Sequence, residues 1–239
     1  MKCLILCAGY ATRLYPLTKN YPKPLLKIKG KSIVDHLIDD LETGKEIDEY
    51  IIVSNHKFIS HFEEWKSTRD ENITLVDDGS LTNETRIGAV KDIELAIDEL
   101  NINDDLLVLA GDNLLSFSLN EFIKFFKEKN SSCVMTYYEK DTSSLTKRGV
   151  CSFDDNHKII SMEEKPKEPK SNYCVPPFYI YKKEDLHYIK EGLAAGCGID
   201  APGHFLEWFC AHATCFAYIM PGVRYDIGNL DDYNRMNGQ

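Results

Sequence analysis

Two cations near the N-terminus stand where phosphate chemistry would need them. The apolar run Leu4–Leu6 predicts a buried strand, and small residues after it let backbone N–H groups converge on an anion. These loop residues are Ala8, Gly9, Ala11 and Thr12. Arg13 adds a fork of donors that suits phosphate oxygens, and Lys23 lies between two prolines on a segment expected to be stiff and extended. The spacing suggests a nucleotide site, and the alternative is an ordinary loop after a strand with solvated surface cations.

Two aspartates follow predicted strands at places where they could share a cation. Asp112 follows the buried run Leu106–Ala110 after one glycine, Gly111, and Asp226 ends a strand before a predicted helix. Carboxylates that meet across a sheet suit Mg²⁺, which takes one or two of them and completes its shell with phosphate and water. The tripeptide Gly111-Asp112-Asn113 is also good turn chemistry, and a simple turn is the alternative there.

The elements that must position these residues alternate between strand and helix, which is typical of a mostly parallel sheet. We predict an α/β fold with a Rossmann-like, mixed and mostly parallel sheet flanked by helices, and a small substrate-side β subregion from about residue 132. The predicted strands are Leu4–Leu6, Tyr50–Val53, Ile73–Val76, Leu106–Ala110, Ser132–Tyr138, Val150–Phe153, Lys158–Met162 and Cys215–Met220. Tyr173–Tyr181 is also strand-like, but Pro176-Pro177 breaks it, so it is expected to be irregular or at an edge. The predicted helices run from the cap Ser32 to Gly44, then over Phe58–Trp65, Ile87–Leu100, Glu121–Lys129 and Pro202–His212.

Composition excludes several classes of partner. The 28 basic and 38 acidic residues give a formal net charge of −10, which argues against nucleic acid and anionic membrane surfaces. No apolar run reaches membrane-spanning length and the N-terminus has no signal-peptide layout, so we expect a cytoplasmic protein. The eight cysteines contain no C-x-x-C pair, and we expect mostly buried free thiols.

The order of residues in the N-terminal segment resembles a family signature. Sugar-phosphate nucleotidylyltransferases, among them glucose-1-phosphate thymidylyl- and uridylyltransferases, carry L-A-G-G-x-G-T-R-L-x-P-L-T followed by P-K-P. The matching residues are Thr12, Arg13, Leu14, Pro16, Leu17, Thr18, Pro22, Lys23 and Pro24. The chain departs from the signature at Cys7, Ala8 and Ala11. The resemblance extends over nearly the whole chain.

The resemblance implies the reaction NTP + sugar 1-phosphate → NDP-sugar + pyrophosphate. It implies a single domain over residues 1–239, in which residues 1–131 form the nucleotide-binding half and residues 132–239 the sugar-phosphate-binding half. The loop residues that would hold the nucleotide are Ala8, Gly9, Ala11 and Thr12. Similar enzymes carry G-D-N and W-x-D-x-G, whose two aspartates hold the catalytic metal. Arg224 or Tyr225 stands near the usual tryptophan here.

Carried over residue by residue, the resemblance implies a role for each charged side chain. Asp112 and Asp226 would bind Mg²⁺. Arg13 would draw charge onto the departing pyrophosphate, and Lys23 would offset charge near the α-phosphate. No general base is required, because the attacking phosphate is already ionised at neutral pH.

The segment around Glu164-Lys165-Pro166 is either a charged, solvated loop or a sugar-phosphate site. In similar enzymes the glutamate of E-K-P accepts hydrogen bonds from sugar hydroxyls and the lysine meets the sugar phosphate. Those roles fall on Glu164 and Lys165, with Gly149 allowing the sugar to approach the backbone. Pro176-Pro177 replaces a region where the family often has glycine.

Asn83 and Gly88 are the candidate base readers. Thymidylyl and uridylyl enzymes tend to carry glutamine and glycine at this five-residue spacing, and Asn83 offers the same amide edge with a shorter reach. The alternative is a loop followed by a helix cap. Neither the base nor the sugar is determined by these residues.

Three other functions share parts of this pattern. A CTP-dependent cytidylyltransferase acting on phosphocholine or a phosphonate would have less use for Gly149, Glu164 and Lys165. A nucleotide-sugar glycosyltransferase would be expected to show D-x-D at a strand end, whereas this chain has Asp112-Asn113. A non-catalytic nucleotide-binding regulator would be expected to have lost an essential aspartate or lysine. The expected partners are an NTP and a sugar 1-phosphate, without nucleic acid or membrane, and a homo-oligomer is left open.

Overall fold

The computed structural model describes residues 1–238, and it has the predicted α/β fold. A large mixed sheet is flanked by helices, and no helix among the described residues is both long and apolar enough to cross a membrane. The strands are β1 (Lys2–Leu6), β2 (Lys27–Ile28), β3 (Lys31–Ser32), β4 (Glu49–Ser54), β5 (Ile73–Asp77), β6 (Leu106–Ala110), β7 (Asn113–Leu115), β8 (Ser132–Tyr138), β9 (Gly149–Phe153), β10 (Ile159–Glu164), β11 (Tyr173–Cys174), β12 (Phe178–Tyr181), β13 (Cys215–Ile219) and β14 (Arg224–Asp226). The α-helices are α1 (Ile33–Glu42), α2 (Ile59–Lys66), α3 (Ala89–Glu99), α4 (Asn120–Lys129), α5 (His187–Ala194), α6 (Pro202–His212) and α7 (Leu230–Asn237).

The chain folds into two compact units. The first unit takes Met1–Ile87, Leu109–Asn120 and the C-terminal segment from Gly222. The second unit takes Gly88–Val108 and Glu121–Pro221. Each unit therefore draws on stretches that are distant in sequence. The predicted functional halves, residues 1–131 and 132–239, concern ligands and stay a prediction.

Parallel strands form the sheet of the first unit. β4 pairs in parallel with both β1 and β5, with Leu4 opposite Ile51 and Ile51 opposite Thr74. Leu4 and Ile51 are completely buried, as expected for strands of a parallel sheet. Because these strands run in one direction, the loops after β1, β4 and β5 leave the sheet at the same edge, the edge at which α/β sheets bind ligands.

Helix α1 begins as predicted and ends slightly earlier. The Ser32 hydroxyl accepts a 3.1 Å hydrogen bond from the Asp35 N–H, and the Asp35 carboxylate accepts one from the Ser32 N–H. The helix ends at Glu42, before the predicted end at Gly44, and Gly44 has no left-handed φ. A Cβ on Gly44 would collide with the Asn120 carboxamide, so packing rather than helix termination requires this glycine.

Strand β8 organises the sheet of the second unit. β11 and β12 pair with it antiparallel, and β13 pairs with it in parallel. β9 and β10 form the hairpin predicted around residues 154–157. The predicted strand Tyr173–Tyr181 is interrupted at Pro176-Pro177 and leaves the short strands β11 and β12, because proline cannot donate a ladder hydrogen bond.

Hydrophobic periodicity fails to predict several short elements. Helix α5 forms where the sequence predicts no element, and β2, β3 and β7 are too short to give a period.

Lys23 is wrongly predicted to be extended. It begins a 3₁₀ helix, Lys23–Leu25, and the extended residue is Pro22 (φ −72°, ψ 134°). Pro24 fits the first turn, where a missing N–H costs nothing.

Candidate active site

A cavity of about 460 Å³ in the first unit collects most of the residues predicted for a nucleotide site. Those that line it are Gly9, Ala11, Thr12, Arg13, Lys23, Asn83, Asp112 and Asp226. Ala8 is outside this lining: it is buried, and its carbonyl accepts a 2.9 Å hydrogen bond from Asn55 Nδ2. A second cavity of about 690 Å³ has no predicted site residue in its described lining.

The anion loop turns sharply at Ala11, which takes a left-handed conformation (φ 45°, ψ 45°). This is a position where the family signature has glycine, the residue best suited to positive φ. The buried Thr18 donates its hydroxyl to the Ala11 carbonyl at 2.8 Å and secures the turn. The chain then enters a 3₁₀ helix, Thr12–Leu14, which carries Arg13. Arg13 has no ion-pair partner within residues 1–238, so its guanidinium is available to a ligand.

A small apolar cluster anchors the charged residues of the cavity. It consists of Leu14, Leu26, Ile28, Ile33, Leu114 and Ile227. Four charged residues of the cavity each precede one of these apolar side chains by one to three positions in the sequence. They are Arg13, Lys23, Asp112 and Asp226. Burying each apolar side chain contributes on the order of 1.5–3 kcal/mol, so the anchors also fix the backbone beside each charge.

Lys23 brings the two aspartates together. Its side chain is only 7% exposed, and its ammonium lies 2.7 Å from Asp112 Oδ2 and 3.9 Å from Asp226 Oδ1. Strand β14 pairs antiparallel with β7 and places Asp226 opposite Asn113, directly after Asp112 in the chain. A single positive charge therefore contacts both carboxylates. If Gly111-Asp112-Asn113 were only a turn, no such shared cation would be required.

Cys7 lies under the turn that carries Asp112. A Cβ on Gly111 would be 2.5 Å from Cys7 Sγ, so only glycine lets this turn approach β1 so closely. Burial raises the pKa of the Cys7 thiol well above its ordinary value, and the negative charge of Asp112 raises it further. The raised pKa favours the neutral thiol, so Cys7 serves at this turn as a small packing group. All eight cysteines are free, and six are buried, as predicted.

The residues predicted to bind the sugar phosphate lie in the second unit. The Glu164 side chain is only 9% exposed, and a Cβ on Gly149 would lie 3.0 Å from its Oε2. A Cβ on Gly203, in the first turn of α6, would overlap the same carboxylate. Lys165 has a left-handed φ of 50°, and its side chain is about half exposed. Glu164 thus lies in a glycine-lined recess, and the Lys165 ammonium lies 3.7 Å from Glu164 Oε1.

The candidate base readers differ in their surroundings. Asn83 lies in a turn that the Thr85 hydroxyl closes, since Thr85 Oγ1 accepts from the Leu81 and Thr82 N–H groups at 3.2 and 3.1 Å. Gly88 belongs to the second unit and caps the N-terminus of α3 with φ 99°. A Cβ there would lie 2.5 Å from the Ile199 carbonyl oxygen, which alone explains the glycine.

Several cavity residues escape the sequence prediction. Tyr10, Arg86 and Gly228 also line the cavity of the first unit. Arg86 lies three residues after Asn83, in a short polar loop that follows a strand. A cation in such a loop is the sequence feature that could have identified it as a cavity residue. Arg224, near the tryptophan position of the signature, lies with its Nη1 atom 3.6 Å from Asp226 Oδ2.

The family assignment follows from this geometry and from a match along the chain. A family model described as "Nucleotidyl transferase" matches residues 2–239. The chain belongs to the nucleotidyl transferase family. The family resemblance predicted from the N-terminal signature is therefore confirmed.

Individual members of the nucleotidyl transferase family are similar over almost all of the chain. A Sulfolobus acidocaldarius protein named as a candidate mannose-1-phosphate guanyltransferase is 29% identical over 240 residues, which are 99% of this chain and 62% of that protein. The UTP–glucose-1-phosphate uridylyltransferase AglF of Haloferax volcanii is 26% identical over 245 residues, which are 97% of this chain and 93% of AglF.

A solved structure gives the same picture of the fold. A structure described as a candidate glucose-1-phosphate thymidylyltransferase from Bacillus anthracis, in complex with sucrose, superposes with a TM-score of 0.82. The two are 26% identical, and the match covers 100% of this chain and 94% of that one. The predicted α/β fold is confirmed by this likeness.

Proposed function

We propose that the protein transfers a nucleotidyl group from an NTP to a sugar 1-phosphate and releases pyrophosphate. The observation that carries the proposal is the cavity in which Lys23 lies between Asp112 and Asp226, beside Arg13 and the anion loop. The names of the similar proteins, which act on glucose 1-phosphate or mannose 1-phosphate, support a sugar 1-phosphate as the acceptor.

The donor set fits Mg²⁺. Asp112 and Asp226 contact one ammonium, so they can contact one metal ion. Two carboxylates fill only part of an octahedral shell and leave positions for phosphate and water, as Mg²⁺ prefers. When bound, the ion would neutralise charge on phosphate oxygens.

The chain's own cations would do the remaining electrostatic work. A sugar-phosphate oxygen attacks the α-phosphorus, a new P–O bond forms, and the bond to the bridging oxygen breaks, so that pyrophosphate leaves with the electron pair. Arg13, with its unpaired fork, would bind the phosphates that depart. Lys23 pairs with Asp112 at 2.7 Å and would stabilise charge near the α-phosphate.

The acceptor would be bound by the Glu164–Lys165 segment. Glu164 is nearly buried against two glycines, which gives a sugar hydroxyl a fixed acceptor of hydrogen bonds. The Lys165 side chain is about half exposed, and its ammonium, 3.7 Å from Glu164 Oε1, would also contact the phosphate of the acceptor. The recess around Glu164 favours a sugar as the acceptor over phosphocholine or a phosphonate. The four predicted charged residues that line the cavity of the first unit favour a catalyst over a non-catalytic regulator.

The test is a panel of NTPs against sugar 1-phosphates, monitored by pyrophosphate release with and without EDTA. Asp112→Asn and Asp226→Asn should each reduce turnover by at least ~10²-fold, the scale of losing a main electrostatic stabiliser. Asp155→Asn, in an exposed turn of the second unit, is the matched control and should leave turnover unchanged. Full activity in EDTA, or unchanged turnover in both variants, would rule out the two-aspartate metal site.

A further inference from the structure

Each of the two cavity carboxylates is held at both of its oxygens. Asp112 Oδ2 accepts from Lys23 Nζ at 2.7 Å, and Asp112 Oδ1 accepts from Asn113 Nδ2 at 2.6 Å. Asp226 Oδ1 lies 3.9 Å from the same ammonium, and Asp226 Oδ2 lies 3.6 Å from Arg224 Nη1. One oxygen of each carboxylate therefore faces Lys23, while the other is held by a different group.

Arg224 and Asn113 join the two outer oxygens. Arg224 Nη1 donates a hydrogen bond to Asn113 Oδ1, and Asn113 in turn donates to Asp112. Asn113 is 1% exposed and the Arg224 side chain is 12% exposed, whereas Asp226 is 55% exposed. Residues two apart on a strand share a face, so Arg224 and Asp226 point the same way from β14.

We propose that Arg224 is a positioning residue for the carboxylates that would bind Mg²⁺, a role that rests on the proposed function. It orients Asp112 through Asn113 and orients Asp226 directly. The other oxygen of each aspartate then faces the position that the Lys23 ammonium contacts here, where one cation can meet both carboxylates. The family signature has tryptophan here, and an indole has a single N–H donor, so it could not hold both partners.

Arg224 has two opposing effects on the affinity of the carboxylates for a metal ion. As a positive charge it would repel a metal ion, but solvent screens this repulsion because Asp226 is more than half exposed. Loss of an outer-shell partner of a metal ligand typically costs 10–100-fold in affinity. Positioning therefore outweighs repulsion, and removing Arg224 weakens metal binding.

The experiment measures Mn²⁺ binding to the full chain by electron paramagnetic resonance, without substrates. Arg224→Met should weaken Mn²⁺ binding about 10–100-fold. Arg224→Trp, which restores the family residue, should behave like Arg224→Met. Arg224→Lys should be intermediate, because lysine keeps the charge and loses the planar fork. Arg235→Met is the matched control and should bind like the parent, since Arg235 is three-quarters exposed and pairs with Asp232.

Steady-state kinetics provide a second readout. For Arg224→Met, kcat should fall and the Mg²⁺ concentration for half-maximal rate should rise. The KM for the NTP should stay nearly constant, because Arg13 and the anion loop are intact. A uniform loss of folded protein would lower kcat without moving the Mg²⁺ requirement.

The outcomes separate this inference from the proposed function. Parental or tighter Mn²⁺ binding by Arg224→Met would overturn the positioning role and leave Arg224 as a counter-charge only. If Arg224→Met does not fold, Arg224→Lys decides, and parental Mn²⁺ affinity in that variant overturns the role. If the parent, Asp112→Asn and Asp226→Asn all bind Mn²⁺ equally, the metal site of the proposed function fails as well.

Discussion

Asp78 is a buried carboxylate beside the cavity of the first unit. It is 9% exposed and accepts hydrogen bonds from the Ser80 N–H at 2.7 Å and the Ser80 hydroxyl at 3.0 Å. The Ser80 hydroxyl also lies 3.3 Å from that of Tyr10, a cavity residue. Burial raises the pKa of Asp78, the Ser80 hydrogen bonds lower it in part, and neighbouring Asp77 raises it.

Because the pKa of Asp78 is raised, its charged form should lower the free energy of unfolding by an amount that depends on pH. Above the raised pKa the folded state carries a buried charge that the unfolded state exposes. As pH falls through the raised pKa toward the ordinary carboxyl value, the folded state takes up the proton first and the penalty disappears. Asp78→Asn keeps an acceptor for the Ser80 N–H and gains a donor for its hydroxyl. It should raise the free energy of unfolding at neutral pH and have little effect near about pH 4.

Asp141→Asn is a control of opposite sign for urea unfolding at several pH values. The Ser143 hydroxyl and N–H lower the pKa of the exposed Asp141, so its contribution is present above the ordinary carboxyl pKa and is lost on acidification. Asp141→Asn should therefore be neutral or destabilising at neutral pH. A stabilising effect of Asp78→Asn that is independent of pH would contradict the linkage.

Ala11 shows how one residue can depart from a family pattern and keep its geometry. A left-handed alanine costs roughly 1–2 kcal/mol relative to glycine, and glycine loses more entropy on folding, which offsets part of this difference. The Thr18 hydroxyl and the burial of Leu14 hold the turn in place. The alanine is therefore tolerated at small cost.

At the scale of elements, helix α6 and strand β10 meet at Gly203. The Glu164 carboxylate occupies the space where a side chain on Gly203 would begin. An alanine in the first turn should displace Glu164, even though alanine normally stabilises a helix by about 1 kcal/mol over glycine. Gly203→Ala should raise the KM for the sugar 1-phosphate about tenfold or more, on the scale of one lost charge-assisted hydrogen bond, and leave NTP binding unchanged.

A double variant distinguishes the clash from a general effect on folding. In Glu164→Ala/Gly203→Ala the alanine has room, so the melting temperature should return toward that of the parent. The affinity for sugar 1-phosphate should stay low, because the acceptor carboxylate is absent. Parental KM in Gly203→Ala alone would show that Glu164 is not a sugar ligand.

At the scale of the whole molecule, the two units offer a direct test of which ligand each one binds. Hydrogen exchange can follow backbone protection in both units at once, since ligand binding raises the free energy of opening locally. A non-hydrolysable NTP analogue with Mg²⁺ should protect residues 8–13 and 81–86. Glucose 1-phosphate should protect residues 149 and 162–165. The hairpin turn at residues 154–157 should change with neither ligand.

The opposite result would be equally clear. If the NTP analogue protected residues 162–165 and the sugar phosphate protected residues 8–13, the two ligands would be assigned to the wrong segments. Residues 88–108 belong to the predicted nucleotide-binding half but fold in the second unit, and their response would show which division follows the ligands.

Much of the fold and several site residues could be predicted from local sequence. Helix α1 carries its own capping box and apolar stripe, and α6 begins at Pro202 as predicted. The small-residue loop, Arg13 and the aspartate after β6 can be predicted because each lies within seven positions of the end of a buried strand. These features depend on neighbours within a few positions, so the sequence by itself determines them.

The meeting of charges that are distant in sequence depends on tertiary packing. Lys23, Asp112 and Asp226 are separated by up to 203 positions, and they converge because the three-residue strands β7 and β14 pair above a shared apolar cluster. Strands this short leave no periodic signal, since their stability comes from burial by other parts of the chain. The burial of Lys23 and the contacts of Arg224 follow from that packing, and a residue type alone would place both in solvent.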